Sequence, residues 1–298
     1  MANYLVTGGA GFIGSHLCRK LESLGHKVVS LDNMMHPCED PFESKFADVR
    51  YSQDVVQYLS GCDACFHLAA QISVDRSIHS PQETMDININ GTLIMLELCR
   101  KRGIKLVFAS TSEVYGTSQK PKMDEDHPLD AQSPYGASKA AADRLCKSYI
   151  DTYGMDVAIL RNFNTFGPYQ NDDSYGGVIA IFTKAAISGK DIKIFGSGEQ
   201  ERDYMWVDDA VNAYLKVINQ KGVFNAGSGE TIKVNRIAQL LKELTKSKSK
   251  IVHVAGRPGE VQRLCCDAGK IKALGWKPKV SIEEGINKYV DFYKNSFL

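Results

Sequence analysis

The chain has 298 residues, with 36 lysines and arginines against 35 aspartates and glutamates, so its formal net charge is only +1. This balance, without a basic cluster, argues against nucleic acid or an anionic membrane as a partner. No apolar run reaches the ~20 residues that a membrane span needs, and the chain enters a strand without a charged and apolar leader, so we expect a cytoplasmic protein.

The first predicted elements enclose a glycine-rich turn. The apolar run over residues 4–6 predicts a buried strand, and apolar residues every three or four positions from Phe12 predict a helix. The glycines between them have the spacing of a dinucleotide-binding turn, G-x-G-x-x-G, and one more precedes it: Gly8, Gly9, Gly11 and Gly14. A helix that starts after such a turn directs unpaired N–H groups at an anion, which predicts a pyrophosphate site.

An acidic residue follows the next predicted strand. Residues 28–31 are apolar and end at Asp32, about where a ribose-binding acid is expected, ~20 residues beyond the glycines. A carboxylate there accepts hydrogen bonds from a ribose diol and repels a 2′-phosphate. The sequence therefore predicts NAD rather than NADP.

Strands and helices continue to alternate, which predicts a doubly wound parallel sheet. A short strand at 45–47 precedes Asp48 and Val49, where we expect the adenine edge. A strand at 63–68 ends in Ala69 and Ala70, which are small enough for a cofactor to lie close. A helix over 90–102 ends at the capping glycine Gly103, and a strand follows at 105–109.

The candidate catalytic pair lies on the next predicted helix, which begins near Pro134. Tyr135 and Lys139 are four residues apart, so they share one helix face. A tyrosine with a pKa of ~10 is a poor base at neutral pH, and we expect the ammonium of Lys139 to lower that pKa. Thr111 follows a strand and could bond the same substrate hydroxyl. A base, a hydroxyl donor and a dinucleotide together predict oxidation of an alcohol.

After a strand at 157–160 the alternation loosens, and we place a domain change near residue 166. We expect a dinucleotide-binding (Rossmann) domain over residues 1–165, to which 207–227 returns, and a smaller C-terminal α/β substrate domain over 166–298. A helix starts near Trp206, and two more lie near 235–244 and 282–293. The eight cysteines are interpreted as structural, including the Cys62–Cys65 pair, because no second Cys or His pair has zinc-like spacing. We expect no metal.

Taken together, these segments resemble the extended short-chain dehydrogenase/reductase family of nucleotide-sugar epimerases and dehydratases. The resemblance covers nearly the whole chain, in segments 7–17, 67–70, 110–116, 135–139, 161–168, 202–209 and 257–260. It implies a bound NAD that oxidises the sugar C4 hydroxyl, a nucleotide-diphosphate sugar as substrate, and a homodimer. Its homodimers pair two helices per subunit, which here would be those near 90–102 and 135–153.

The resemblance also implies residue roles. Tyr135 would be the base, Lys139 would bridge the tyrosine and the ribose, and Thr111 would orient the substrate. The implied substrate contacts are Asn164, Val178, Arg202 (to the diphosphate) and Arg257. The implied cofactor contacts are Gly8, Gly11, Phe12, Ile13, Gly14, Asp32, Asn33, Asp48, Val49, Leu68, Ala69, Ala70, Asn88, Ser110, Tyr135 and Lys139.

The type of reaction depends on Ser112 and Glu113. Related 4,6-dehydratases carry an Asp-Glu pair there as acid and base for loss of water, whereas 4-epimerases carry small or hydroxylic residues. Because a carboxylate at Glu113 has a role in elimination, our main prediction is a 4,6-dehydratase in which Glu113 removes the C5 proton and Ser112 belongs to the catalytic set.

A UDP-sugar 4-epimerase of the UDP-glucose/galactose type is the alternative, because residues 171–179, with Tyr175, resemble a 4-epimerase substrate loop. A UDP-glucuronate decarboxylase is disfavoured, since no arginine lies between Arg161 and Arg202. A non-catalytic NAD(P)-binding sensor is also weaker, because such relatives typically lack the Tyr–Lys pair. The nucleotide (UDP, dTDP, GDP or CDP) stays open.

Overall fold

A seven-stranded parallel sheet forms the centre of this computed structural model, which describes residues 1–173 and 176–297. The strands are β1 (Asn3–Thr7), β2 (Lys27–Asp32), β3 (Lys45–Phe46), β4 (Ala64–His67), β5 (Lys105–Thr111), β6 (Val157–Asn162), β7 (Asn164–Phe166), β8 (Ile192–Phe195), β9 (Glu201–Arg202), β10 (Tyr204–Trp206), β11 (Gly222–Ala226), β12 (Ile232–Lys233) and β13 (Ile251–Val254). The sheet has the order β11-β6-β5-β4-β1-β2-β3, and each neighbouring pair is parallel.

Helices cover both faces of this sheet. The α-helices of the described chain are α1 (Phe12–Ser23), α2 (Ser52–Val55), α3 (Val74–His79), α4 (Pro81–Met85), α5 (Gly91–Arg100), α6 (Pro134–Tyr153), α7 (Val178–Ile187), α8 (Val207–Val217), α9 (Val234–Thr245), α10 (Gly269–Ala273) and α11 (Ile282–Phe297), of which α7, α9 and α11 belong to a second region. The predicted doubly wound parallel sheet is therefore confirmed. Among the described residues, no helix is long and apolar enough to cross a membrane.

Successive residues of the central strands point into two apolar layers, one on each face of the sheet. On β1, Leu5 belongs to one layer and Val6 to the other; on β5, Leu106 and Val107 divide in the same way. All six residues of β6 are buried. Burial on both faces explains why these strands read as continuous apolar runs in the sequence.

The predicted helix over 90–102 is longer than expected at its N-terminus. The π-helical turn Asp86–Asn90 joins α4 to α5, and the residues at both junctions, Met85 and Gly91, keep helical dihedral angles. Pro81 at the first helical position starts this run. The predicted C-terminal helices correspond to α9 and α11.

A second region is built on three small sheets, which pair β7 with β10, β8 with β13 and β9 with β12. Its apolar cluster packs α7, α9 and α11 around Phe166, Trp206 and Tyr289. Strand β11 pairs with β6 in the central sheet. The division of the chain into domains at residue 166 stays a prediction.

Candidate active site

A cleft of about 600 Å³ runs along the carboxyl ends of β1, β4, β5 and β6 and continues into the second region. Parallel sheets bind ligands at this edge. Of the predicted site residues, all but Ser112 and Asn88 line the cleft, namely Gly8, Gly11, Phe12, Ile13, Gly14, Asp32, Asn33, Asp48, Val49, Leu68, Ala69, Ala70, Ser110, Thr111, Glu113, Tyr135, Lys139, Asn164, Val178, Arg202 and Arg257.

The glycine turn after β1 leaves no room for side chains. A Cβ on Gly8, which has φ +73°, would lie 2.6 Å from the backbone nitrogen of Ala69, and one on Gly14 would lie 2.0 Å from the carbonyl oxygen of Gly8. Helix α1 begins at Phe12 with no side-chain cap and no acidic residue in its first turn. Its N-terminal N–H groups therefore face the cleft with the positive end of the helix dipole, which fits a pyrophosphate.

Asp32 ends β2 and lines the same part of the cleft. One carboxylate oxygen accepts a hydrogen bond from the backbone N–H of Ala10 at 3.1 Å, and the other accepts one from the N–H of Met34 at 2.8 Å. Burial raises the pKa of Asp32, and these two bonds oppose that rise. Since a carboxylate has about four acceptor sites, it keeps capacity for a ribose diol.

Asp48 is held by its own neighbour. Arg50 donates to its two oxygens from Nε at 3.0 Å and from Nη2 at 2.7 Å. Burial raises the pKa of Asp48, but the hydrogen bonds from Arg50 hold it below its usual value. Asn33 donates to the same carboxylate at 3.4 Å. Val49 lies against Gly91, where a Cβ would come within 2.8 Å of its Cγ2. These contacts form a fixed wall where we predicted the adenine.

Asn88 and Ser112 lie behind the wall of the cleft. The Asn88 side chain accepts from the backbone N–H of Gln71 at 2.8 Å and donates to the carbonyl of Gln71 and the hydroxyl of Ser138. It thereby fixes the segment that follows Ala70. Ser112 is buried at the start of the 3₁₀ turn Ser112–Tyr115. Their predicted roles at the cofactor and in catalysis stay predictions.

Helix α6 places Tyr135 and Lys139 in the middle of the cleft. It begins at Pro134, and the Ser133 hydroxyl caps it by accepting from the N–H of Gly136 at 3.0 Å. A Cβ on Gly136 would lie 2.9 Å from the carbonyl oxygen of Glu113, so glycine lets the helix start press against the 3₁₀ turn. This packing brings Tyr135 beside Glu113.

Both members of the pair are buried, with exposed fractions of 9% for Tyr135 and 3% for Lys139. Burial raises the pKa of Tyr135; Thr111 lowers it and the charge of Glu113 raises it further. The expectation of a lowered tyrosine pKa is therefore not met in the chain alone, because burial and the charge of Glu113 outweigh the hydrogen bond with Thr111. Burial also lowers the pKa of Lys139 to about 8. Its Nζ lies 4.3 Å from the ring centre of Phe108.

Glu113 is half-buried and faces the cleft. Burial raises its pKa, the positive charge of Arg202 lowers it, and Glu260 raises it. Of the predicted Ser112–Glu113 pair, only the carboxylate faces the cleft. Glu260 lines the cleft as well and accepts a hydrogen bond from Gln200 at 3.0 Å.

The second region contributes two arginines to the cleft. Arg257 forms an ion pair with Asp75 at 3.0 Å and stacks on Phe195, with 4.0 Å between the guanidinium carbon and the ring centre. Arg202 donates to the carbonyl of Glu201 and has no ion pair with a carboxylate among the residues that the structure describes. Asn164 begins β7 and Val178 begins α7. Of the predicted epimerase loop, Tyr175 lies outside the described residues.

Several polar atoms that line the cleft are buried and have no hydrogen-bond partner within the described ranges. They are Asn162 Oδ1, Gln170 Oε1, Tyr204 Oη and Arg257 Nε. Buried polar atoms in folded proteins are normally paired, so these atoms indicate where a polar ligand binds. Sequence reasoning did not single out Asn162, which ends β6 at the cleft, or Tyr204, which begins β10 there.

The parallel sheet and the glycine turn agree with a dinucleotide-binding enzyme, and similarity to known proteins places the chain among the NAD-dependent nucleotide-sugar enzymes of the extended short-chain dehydrogenase/reductase class. The chain belongs to the GDP-mannose 4,6 dehydratase family, whose model matches residues 5–289.

Its relatives differ in reaction. A putative UDP-glucose 4-epimerase of Methanocaldococcus jannaschii is 38% identical over 98% of both chains. The UDP-glucuronic acid decarboxylase 1 of Xenopus tropicalis is 34% identical over 97% of this chain and 72% of its own length.

Similar solved structures likewise include both epimerases and dehydratases. The UDP-glucose 4-epimerase of Thermotoga maritima, crystallised with UDP-glucose, superposes with a TM-score of 0.94 at 36% identity and covers 99% of this chain and 100% of its own. The dTDP-glucose 4,6-dehydratase DesIV of Streptomyces venezuelae, crystallised with NAD, has a TM-score of 0.92 at 31% identity. The match covers 99% of this chain and 97% of the DesIV chain.

Proposed function

We propose that this protein is an NAD-dependent 4-epimerase of a UDP-hexose. One observation carries the proposal: of the two positions at which related dehydratases hold an acid and a base, only Glu113 faces the cleft, and Ser112 is buried behind it. An elimination needs both groups, whereas inversion at C4 needs neither. Similarity to UDP-glucose 4-epimerases supports the same choice and favours our alternative prediction over our main one.

NAD is the cofactor. The uncapped start of α1 would bind the pyrophosphate of NAD, and Asp32 would bind its adenosine ribose. The side chains around Asp48 and Val49 would contact its adenine. When bound, NAD supplies reversible two-electron oxidation of the substrate alcohol. The glycine turn fits this group because its backbone is free of side chains along the cleft.

In our proposal Tyr135 takes the proton of the C4 hydroxyl and returns it after inversion. Thr111 orients the same hydroxyl from the end of β5. Lys139 supplies a positive charge that favours the phenolate, against the burial that favours the neutral phenol. Burial also excludes bulk water, which would otherwise compete for the proton.

The second region would hold the nucleotide diphosphate. Arg202 and Arg257 would pair with its phosphates, because planar guanidinium groups bind phosphate with two parallel hydrogen bonds. Asn164 and Val178 would contact the rest of the substrate. The unpartnered atoms of Tyr204 and Gln170 lie in the same part of the cleft and can bond its hydroxyls.

Product analysis tests the proposal. Purified protein is incubated with UDP-, dTDP-, GDP- and CDP-hexoses, and the products are separated and examined by mass spectrometry and NMR. We expect an unchanged mass with an inverted C4, for UDP-glucose or UDP-galactose above all. Loss of one water from any sugar would contradict the proposal.

A 4,6-dehydratase is the second candidate, and the position of Glu113 favours it. This half-buried carboxylate lies beside Tyr135 with a raised pKa, as a general base would. If the protein is a dehydratase, Glu113→Gln should slow loss of water by about 10²–10⁴-fold. If it is an epimerase, the same variant should keep most of its activity.

We also propose a homodimer formed through α5 and α6. Leu93 on α5 and Tyr153 on α6 are large apolar side chains with exposed fractions of 37% and 55%. Light scattering at micromolar concentration should give twice the mass of the chain, and a monomer alone would contradict it.

A further inference from the structure

Beneath the Tyr–Lys pair lies a buried ion pair that the proposed reaction does not use. Arg161, on β6, and Asp143, on α6, are exposed by 3% and 0%. Arg161 donates to one Asp143 oxygen from Nη2 at 2.8 Å and to the other from Nε at 2.9 Å. The Ser110 hydroxyl donates to that second oxygen at 2.7 Å. Both oxygens of Asp143 are thereby engaged.

The same arginine is fixed from its other side. Its Nη1 donates to the hydroxyl of Tyr115 at 2.8 Å and to the carbonyl of Glu125 at 2.9 Å. The Tyr115 hydroxyl in turn donates to Asn225 at 2.7 Å. Arg161 is therefore tied to the 3₁₀ turn, to the loop before α6 and to β11, and it has little freedom to leave Asp143.

Lys139 lies one helical turn before Asp143 on α6, a spacing at which opposite charges normally pair. Its Nζ nevertheless has no hydrogen-bond acceptor in the described part of the chain, and it lies over the Phe108 ring. Arg161 and Ser110 already fill three of the about four acceptor sites of Asp143. An unpaired ammonium at this place is available to Tyr135 and to a ligand in the cleft.

We propose that Arg161 and Asp143 are positioning residues for Lys139. Arg161 keeps the carboxylate from binding the lysine, while the negative charge of Asp143 helps the buried lysine to stay protonated. The inference rests on the proposed role of Lys139, and it adds two residues that touch neither substrate nor cofactor.

Two other titratable groups near Lys139 carry no charge where this lysine titrates. Burial raises the pKa of the Cys146 thiol far above its usual range, so the thiol stays protonated. Burial and the charge of Lys139 lower the pKa of His67, on β4, to about 3, so its ring is neutral. Asp143 thus acts on Lys139 from its own helix, with Arg161 bound to it on the sheet side and with Tyr135 and Glu113 on the cleft side.

The test is a direct titration of Lys139 by NMR, with ¹³C at the lysine Cε and the signal assigned by its loss in Lys139→Met. The purified protein is used with the cofactor it retains. We expect a wild-type midpoint below the usual lysine value of 10.5, because burial lowers the pKa of Lys139. Asp143→Asn should lower the midpoint by about one unit or more, because the stabilising charge is gone. Arg161→Met should raise it, because Asp143 is released to pair with Lys139.

Shifts of the Lys139 midpoint in opposite directions in Asp143→Asn and Arg161→Met would distinguish a positioning role from a merely structural one. A structural role predicts no shift, or a shift in the same direction, in both variants. Either result would overturn the proposal, as would a wild-type midpoint near 10.5. One control should leave the midpoint unchanged: Asp151→Asn, which removes an exposed partner of Lys147 on the same helix.

Loss of one partner of a buried pair is strongly destabilising, so Asp143→Asn alone could fail to fold. The double variant Arg161→Met with Asp143→Leu replaces the pair by apolar side chains and should fold. It should also lower the Lys139 midpoint, and an unchanged midpoint would refute the inference. Because the titration needs no turnover, it can fail while the protein is an epimerase, and it can succeed if the product is that of a dehydratase.

Discussion

The two halves of the cleft are built from different parts of the chain. The half assigned to the cofactor is walled by backbone at its glycine turn, where a Cβ on Gly8 or Gly14 would lie only 2.0–2.6 Å from a neighbouring backbone atom. The half assigned to the substrate is walled by long polar side chains, including Arg202, Arg257, Gln170 and Tyr204. Three of these four side chains keep a buried polar atom without a partner among the described residues.

This difference indicates how each half recognises its ligand. A backbone surface has one shape, so it fits one ligand and tolerates no added side chain. Side chains on short strands and loops are exchanged easily in evolution, and their unsatisfied atoms select for particular hydroxyls and phosphates. We therefore expect substitutions in the first half to act on cofactor retention and stability, and those in the second to act on KM.

The largest effect on activity is expected at Tyr135, which lies where the cofactor half and the substrate half of the cleft meet. Tyr135→Phe removes the proposed base but keeps the ring, so activity should fall by about 10²–10⁴-fold or more while the fold is retained. Steady-state kinetics and circular dichroism measure both. Tyr153→Phe, on the exposed side of the same helix, is the matched control and should be fully active. Activity near the wild-type level in Tyr135→Phe would exclude Tyr135 as the base.

Gly14→Ala should distort the glycine turn in the half of the cleft that is assigned to the cofactor. Its methyl group would lie 2.0 Å from the carbonyl oxygen of Gly8, so the turn must move. We expect a loss of about 1–3 kcal/mol in stability and loss of NAD from the purified protein, measured by thermal unfolding and by nucleotide release. Gly11→Ala is the graded comparison, since its methyl would lie 3.2 Å from the same oxygen. Equal effects of the two would contradict the steric account.

Arg257→Met should weaken binding of the substrate without affecting binding of the cofactor. Loss of a hydrogen-bonded charge at a phosphate costs about 1.5–3 kcal/mol, which corresponds to a rise of roughly 10–100-fold in KM. NAD content and thermal stability should stay at the wild-type level. Arg236→Met, an exposed arginine outside the cleft, is the control. A fall in kcat with unchanged KM would place Arg257 elsewhere in the mechanism.

The smallest effect is expected at Asp75. Its ion pair with Arg257 joins the two halves, and the side chains are exposed by 43% and 35%. A bound diphosphate would compete with Asp75 for the arginine. Because such exposed pairs contribute about 0–1 kcal/mol, Asp75→Asn should tighten binding of UDP by about fivefold at most, as measured by calorimetry. Weaker binding would show that Asp75 orients Arg257 instead.

Several elements could be predicted because neighbouring residues decide them. The glycine turn, the acid at Asp32 and the Tyr135–Lys139 spacing follow from local periodicity and from backbone sterics. The strands of the central sheet were visible because burial on both faces demands continuous apolar runs. By contrast, α3, α7 and the paired strands β8 and β13 were not predicted, because these short elements owe their stability to packing against distant residues.

The sequence by itself therefore determined the fold class and the cofactor, since each depends on contacts within one turn or one strand–helix unit. Only the tertiary structure decided what faces the cleft. In the folded chain Ser112 is buried behind the cleft, whereas Glu113 lines it. Arg257 contacts Asp75, although 182 positions separate the two residues in the sequence. Burial also raises the pKa of Tyr135, where the spacing alone suggested a lowered one. Burial and long-range contacts set these properties, and neither is encoded in the local pattern of the chain.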